Sequence, residues 1–455
     1  MSFTQRRTSR PATRAVVFRR AAIALALVGT SIAAGRTDAQ QSASPDRLRL
    51  GELYAEVARA NPRIAAANAL ATAARARVPG ARRPPDPQLQ LGFMNYTLPG
   101  LAPMPTLGMS QLQLMQMLPL GGKLASAGRA ADAQASATGE RARDTGWEMR
   151  DAAAMSFYDL YAVDGQLDVA RETLRLLQDV ERTAQSMYRV GDGRQADVLR
   201  AQVEIARMAE DTLRMVAMRV TMVAKLDALL DRDAGLPLGR PALPRYPDTL
   251  PSRAGLDSLA AAERPMIRAG ADEVRAAEAS QRGARKEIWP DLQVGVQYAQ
   301  RGGEMGKERM GSLMLGASIP VFARDRQLRM REEAAAMTRM AQADLAAMRA
   351  ETRGRIGEAY ASLERARSLA KLYRTTVLPQ AEATVTSAMS AYRVGTVDFM
   401  TLLDDRMTVN KYRQELYALD AEQGKAWAEL EMLVGRALLD PDRTSAPLVG
   451  TKGIQ

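Results

Sequence analysis

One unit of sequence occurs twice in this chain of 455 residues, and that constrains its fold more than any other feature. Pro62 and Ile64 of NPRI return as Pro265 and Ile267 of RPMI. Pro87, Leu89, Gln90 and Gly92 return as Pro290, Leu292, Gln293 and Gly295. Leu118-Pro119-Leu120 is matched by Ile319-Pro320-Val321, and Tyr188-Arg189-Val190-Gly191 by Tyr392-Arg393-Val394-Gly395. Landmarks that recur in one order at a nearly constant offset mark an internal duplication. The expected division is a leader over 1–39, a first copy over 40–235, a linker over 236–261, a second copy over 262–437 and a tail over 438–455. The linker is placed by its prolines, LPLGRPALPRYPDTLP from Leu236 to Pro251.

Each copy carries a long helical stretch. No proline lies between Leu120 and Leu236, and Leu167, Ala170, Leu174, Leu177, Ala184 and Met187 recur at alternating spacings of three and four, the pattern of an amphipathic helix with a coiled-coil seam. A Gly-Asp-Gly turn at 191–193 interrupts it. The period resumes through Leu199, Val203, Ala206, Ala209, Leu213, Val216, Val220, Val223, Leu226 and Leu230, which predicts a return helix folded back at a tight tip. The second copy repeats this design, with Pro379 expected to break its ascending helix and Leu402, Val409, Tyr412, Leu416, Leu419, Leu430 and Leu433 marking the return. Periodicity alone fits a bundle of shorter helices equally well.

Strands flanked by these helices separate the two readings. Asp291 to Ala299 alternates strictly, with Leu292, Val294, Val296 and Tyr298 on one face and Gln293, Gly295 and Gln297 on the other. Ser312 to Ile319 does the same. Gln88 to Phe93 and, less cleanly, Met109 to Leu118 supply the first copy's pair. Segments of about 10 residues, apolar on one face and polar or small on the other, are the pattern of transmembrane barrel strands, although a one-sided soluble sheet alternates similarly. Four strands cannot close a barrel, and an open edge in lipid leaves backbone groups unsatisfied. The chain is therefore expected to oligomerise, and three copies would supply twelve strands.

The sequence has no Cys and no His, which removes thiol nucleophiles, imidazole bases and disulfides together. Its Asp and Glu residues follow helical surface positions without a convergent acid–base motif, so no enzyme activity and no cofactor are expected. The net charge of +11 could suggest nucleic acid, but Arg6, Arg7, Arg10, Arg14, Arg19, Arg20 and Arg36 precede Gln40 against the single acid Asp38. That arginine-rich start, the apolar run from Ala21 to Ala34 and small residues at Thr37 and Ala39 read as a secretory signal; the run is shorter than the roughly 20 residues that span a bilayer.

The Pro-led strands at Pro87 and Pro290, the crossings LPLGGK (Leu118 to Lys123) and IPVFAR (Ile319 to Arg324), and the twin tips YRVGDGRQADVL and YRVGTVDFMTLLD together resemble the outer-membrane efflux protein family, the TolC-like channels of tripartite pumps. The resemblance runs from about Leu50 to Arg436. It implies a mainly α fold with a transmembrane β part, in which a homotrimer forms a 12-stranded β-barrel in the outer membrane and a periplasmic α-barrel ending in the tips. It also implies an exit duct that passively conducts what an inner-membrane pump of RND or ABC type and a periplasmic adaptor deliver, in efflux or type I secretion. A periplasmic adaptor-like or structural coiled-coil protein is the rival reading, but it predicts one hairpin flanked by β domains rather than two hairpins with strand pairs inside them.

The resemblance implies adaptor contact at Tyr188, Arg189, Val190, Gly191 and Gly193 and at Tyr392, Arg393, Val394, Gly395 and Thr396. Glycine there also serves the turn itself, because it tolerates positive φ. The family's acidic ring at the periplasmic aperture falls on Thr401 and Asp404, only one of which is acidic; Asp405 follows, and Asp197 takes the corresponding place in the first copy. Met94, Met104, Met109, Met115 and Met117 cluster at the first strand pair. Thioethers suit Cu(I), but methionine is also a flexible filler and the remaining methionines are scattered, so no metal site is assigned.

Overall fold

The computed structural model describes residues 47–442 apart from 101, 105, 106, 304 and 305. The expected leader and nearly all of the expected tail lie outside the described residues.

The chain order is β1 (Arg47–Arg49), α1 (Leu50–Ala60), α2 (Pro62–Ala81), β2 (Gln88–Met94), β3 (Tyr96–Thr97), β4 (Ala102–Pro103), β5 (Met109–Pro119), α3 (Lys123–Arg189) and α4 (Gln195–Leu229). It continues through β6 (Arg240–Ala242), α5 (Arg253–Glu263), α6 (Pro265–Lys286), β7 (Asp291–Gly303), β8 (Gly306–Ala317), α7 (Gln327–Leu372), a π-turn (Tyr373–Val377), α8 (Leu378–Arg393) and α9 (Phe399–Val434). The duplication is visible element by element: α1–α2 answers α5–α6, β2 and β5 answer β7 and β8, α3 answers the run from α7 to α8, and α4 answers α9. The interval 236–261 is not all linker. It holds β6, which pairs in parallel with β1, and most of α5, the counterpart of α1.

The helix α3 is continuous over 67 residues, on the order of 100 Å at about 1.5 Å per residue. Its counterpart does not break at Pro379 as the sequence predicts. Proline cannot donate to the carbonyl four residues back and crowds it. The helix instead widens by one turn just before the proline, where the Leu378 N–H reaches the carbonyl of Tyr373, and then continues to Arg393.

The four long strands form one antiparallel sheet in the order β2-β5-β7-β8. The duplication boundary is therefore crossed by β5 pairing with β7, Pro119 opposite Asp291 and Met109 opposite Arg301. β7 and β8 extend beyond the predicted runs, β7 to Gly303 and β8 from Gly306, and β8 ends at Ala317, short of Ile319.

Apolar burial is strung along the helices. One cluster joins α1, the middle of α3, the end of α4 and α9 around Phe157, Tyr158 and Leu226. Another joins α5, α7 and the end of α9 around Trp427 and Leu430, and a third lies between the two tips. The helix α9 runs between α3 and α7 and buries Leu402, Val409, Leu416, Leu419, Leu430 and Leu433 of its predicted stripe, with Tyr412 half-buried. The helix α4 differs. It buries Val198, Ala201 and Met208 against its neighbours and, at its far end, Val223, Leu226 and Leu230 of the stripe read from the sequence, while Leu199, Val203, Leu213, Val216 and Val220 of that stripe face outward.

Candidate functional site

Two regions carry the candidate function: the faces of the sheet and the pair of tips. The register assigns every strand residue to a face. Leu89, Leu114, Val296 and Leu313 stand side by side across the four strands, as do Leu91, Leu112 and Tyr298, and all seven are exposed. The opposite face carries Gln90, Gln113, Gln297 and Ser312 in one row; the Gln297 amide donates to Gln111 over 2.7 Å. A sheet with one exposed apolar face and one amide-lined face has the pattern of a barrel wall between lipid and water. Among the described residues no helix is long and apolar enough to cross a membrane.

Of the methionine candidates, Met94, Met109, Met115 and Met117 fall on the amide-lined face, with Met94 directly opposite Met109. Met104 belongs instead to the turn, its N–H bonded to the Asn95 carbonyl. The sequence reading missed Met314, which approaches Met115 across Gly295 because glycine leaves the space there. Among the described residues no cluster of Asp or Glu has metal-binding geometry.

At the first tip, the carbonyl of Met187 accepts from the N–H groups of both Asp192 and Gly193, which ends α3. Gly191 makes the turn at φ +88°, and a Cβ on Gly193 would lie 2.8 Å from the Tyr188 nitrogen. The second tip closes by another route. Gly395 turns at φ +75°, and Thr396 returns both its N–H and its hydroxyl to the Ala391 carbonyl at 3.0 Å. Asp398 then caps α9, accepting from the N–H of Thr401 at 3.0 Å and from its hydroxyl at 2.6 Å. Those bonds hold the Asp398 carboxyl below the usual range, with Arg194 and Arg200 of the first hairpin adding to the effect. Arg194, the corresponding cap of α4, makes no side-chain capping bond.

The tip residues named from the sequence therefore separate. Tyr188, Arg189, Val190, Gly191, Arg393, Val394, Gly395 and Thr396 are exposed and Gly193 is half-buried. Tyr392 is not part of the surface: it is 6% exposed against 46% for Tyr188, and its ring meets Phe399 edge-on at 5.9 Å. Its phenol is pushed up by burial and by nearby Asp197. The four aperture candidates do not share one environment. Asp197 sits half-buried in the first turn of α4 beside Tyr392, Thr401 is engaged in the cap, Asp405 is half-buried, and Asp404 is exposed. The sequence reading missed Asp398 and Phe399. The D-x-x-T spacing before an apolar run was the available signal for the cap.

Behind the tips, the π-turn aims Arg374 at Asp420, an ion pair in which Asp420 is 1% exposed. Burial raises the Asp420 carboxyl and Arg374 opposes that rise.

A one-sided lipid-type sheet continuous with helical hairpins far longer than a bilayer is thick defines a membrane channel subunit. The family comparison agrees, matching the outer membrane efflux protein model over residues 53–232 and 256–436. The chain belongs to the outer membrane efflux protein family, and it is an outer-membrane exit duct of an efflux system that extends into the periplasm. Among solved structures it is similar to CusC, with TM-score 0.75 and 19% identity over 85% of this chain and 92% of that one. It is also similar to the CmeC outer membrane channel of Campylobacter jejuni, with TM-score 0.73 and 12% identity over 88% of both chains. The open-state MtrE outer membrane channel of Neisseria gonorrhoeae gives TM-score 0.73 and 16% identity over 86% of this chain and 90% of that one. No match was found among curated proteins.

Proposed function

We propose that three copies close into a ring in which β8 of one chain pairs with β2 of the next, giving a twelve-stranded barrel and a helical duct below it. The single observation that carries this reading is that β2 and β8 are the two unpaired edges of the sheet while both carry the exposed apolar face. An edge in lipid must find a partner. The outward stripe of α4 supports it independently, because a neighbouring chain would cover that stripe. The duct conducts passively and performs no catalysis. The exposed parts of the tips dock a periplasmic adaptor that connects the duct to an inner-membrane pump of RND or ABC type. The residues that do so are Tyr188 to Gly191 with Gly193, and Arg393 to Thr396, with Tyr392 acting from below as their support. Asp404, three times repeated, would present a carboxylate ring at the aperture.

The chain has no native cysteine, so engineered disulfides report the assembly cleanly. Cysteine at Gln90 combined with cysteine in turn at Ser312, Met314 or Gly316 is expected to give a disulfide-linked trimer in outer-membrane extracts. A soluble periplasmic monomer would overturn the assembly. Val190→Asp with Val394→Asp is expected to abolish adaptor co-purification and leave the trimer intact. Asp404→Ala is expected to raise single-channel conductance in planar bilayers, and unchanged conductance would count against an aperture there.

A further inference from the structure

The strands β5, β7 and β8 end near one level, with Pro119 opposite Asp291 and Leu292 opposite Ala317, and what the chain places there differs sharply from the strand faces above. Trp289 and Phe322, at the ends of β7 and β8, are 59% and 77% exposed. The Trp289 ring is held in place, and at Phe322 the backbone is. The Trp289 ring lies over Gly121, where a Cβ would come within 3.0 Å of it, and the Trp289 N–H bonds to the carbonyl of Lys286 at 3.0 Å. The Lys286 ammonium is itself tied to the Gly122 carbonyl at 3.2 Å. The Phe322 carbonyl accepts from the N–H groups of Asp325 and Arg326, which fixes the turn into α7. The structure thus builds an aromatic shelf at the foot of the sheet.

Around the strand ends the chain carries Arg83 ahead of β2, Arg285 in the last turn of α6, and Arg324 and Arg326 between β8 and α7, all exposed. Among the described residues none of the four has an ion-pair partner, whereas the cation at the foot of β5, Lys123, is neutralised by Asp291 at 2.8 Å and Glu287 at 3.4 Å. Exposed guanidiniums without ion-pair partners, in the segments that lead into and out of the strands and that also carry rings suited to the headgroup level, are complementary to phosphodiesters.

We propose that this collar is a binding surface for anionic glycerophospholipids of the periplasm-facing leaflet. Acyl chains lie against the apolar strand face and the shelf, and headgroup phosphates lie against the four arginines. The proposal rests on the channel reading above and adds a lipid class to it. Each unpaired cation near an anionic surface contributes a factor of about five in affinity, so even partial engagement of the set gives a preference on the order of tenfold or more.

Trp289 supplies the readout. The full chain is reconstituted into neutral phosphatidylcholine bilayers containing brominated phosphatidylglycerol or, in parallel, brominated phosphatidylcholine, and quenching is taken as the difference between wild type and Trp289→Phe. The expected result is roughly tenfold stronger association of the anionic quencher, reduced toward parity by the combined R83Q, R285Q, R324Q and R326Q variant and by high salt. Equal quenching by the two lipids in wild type, or a preference that survives both the variant and salt, would overturn the collar. Should the variant fail to insert, the wild-type preference and its salt dependence still decide the matter. Single-channel conductance in a purely neutral bilayer is recorded alongside. Wild type that conducts there but shows no lipid preference loses the collar alone, and wild type that inserts in neither bilayer overturns the channel reading together with the collar.

Discussion

The two hairpins share a tip signature, YRVG, yet the fold treats them as opposites. The second hairpin is internal: α9 lies between α3 and α7 with its apolar stripe covered, its tip is locked by the Asp398 cap, and Tyr392 packs on Phe399. The first is peripheral. Its return helix α4 keeps Leu199, Val203, Leu213, Val216 and Val220 exposed, its tip has no side-chain cap, and Tyr188 faces outward. Gln195 stands where the second copy has Phe399, so one aromatic anchor is missing from the first tip. Duplication supplied one design, and position in the fold divided its labour: the inner hairpin holds the chain together and the outer one is left to meet another surface.

The sharpest way to break this comparison is at the exposed stripe. Leu213→Asp leaves the isolated chain folded, since the side chain is 72% exposed, but is expected to abolish the heat-modifiable trimer in outer-membrane extracts, because the charge would be buried unpaired between chains. A persisting trimer would show that α4 is not an interface. Within one chain the effect reverses. Phe399→Ala, at 2% exposure, is expected to cost about 3–5 kcal/mol in denaturant unfolding, whereas Tyr188→Ala should fall within about 0.5 kcal/mol of wild type.

A third test uses a position where the copies carry opposite charge. By the offset that relates the tips, Asp151 of α3 corresponds to Arg355 of α7, and the two interact beside Glu429. Burial, then repulsion from Glu429, pushes Asp151 up to about 7, with Arg355 pulling the other way. Between about pH 4 and 7 the folded chain then holds a proton that the unfolded chain has released. Stability therefore rises as pH falls through that window, by at most about 1.4 kcal/mol per pH unit. Asp151→Asn is expected to flatten that slope in pH-dependent unfolding. The smallest effect is at the caps. Asp398→Ala should lower amide protection factors in the first turn of α9, and lowering the pH through the depressed Asp398 value should do the same, whereas Arg194→Ala should leave α4 unchanged.

Much of this was legible in the residues because it depends on local chemistry. The duplication, the strand faces and the tight tips follow from spacing, from period and from glycines at 191 and 395 that adopt positive φ. Pro379 was read correctly as a local obstacle and wrongly as a break. A helix already packed on both sides costs less to widen by one turn than to interrupt, and only the packing reveals that. The stripe on α4 was likewise seen in the sequence, but its direction was not, because a 3.6-residue period identifies an apolar face without naming its partner.

The sequence by itself determined the repeat, the helix and strand types, the turn positions and the membrane-facing alternation, all set by backbone geometry and side-chain period within a few residues of each position. Only the tertiary structure decided that Tyr392 is buried while Tyr188 is exposed, that α9 is enclosed while the middle of α4 is not, and that Arg83, Arg285, Arg324 and Arg326 are left exposed without ion-pair partners. Those outcomes depend on which distant segments meet, and identical local sequences carry no record of that.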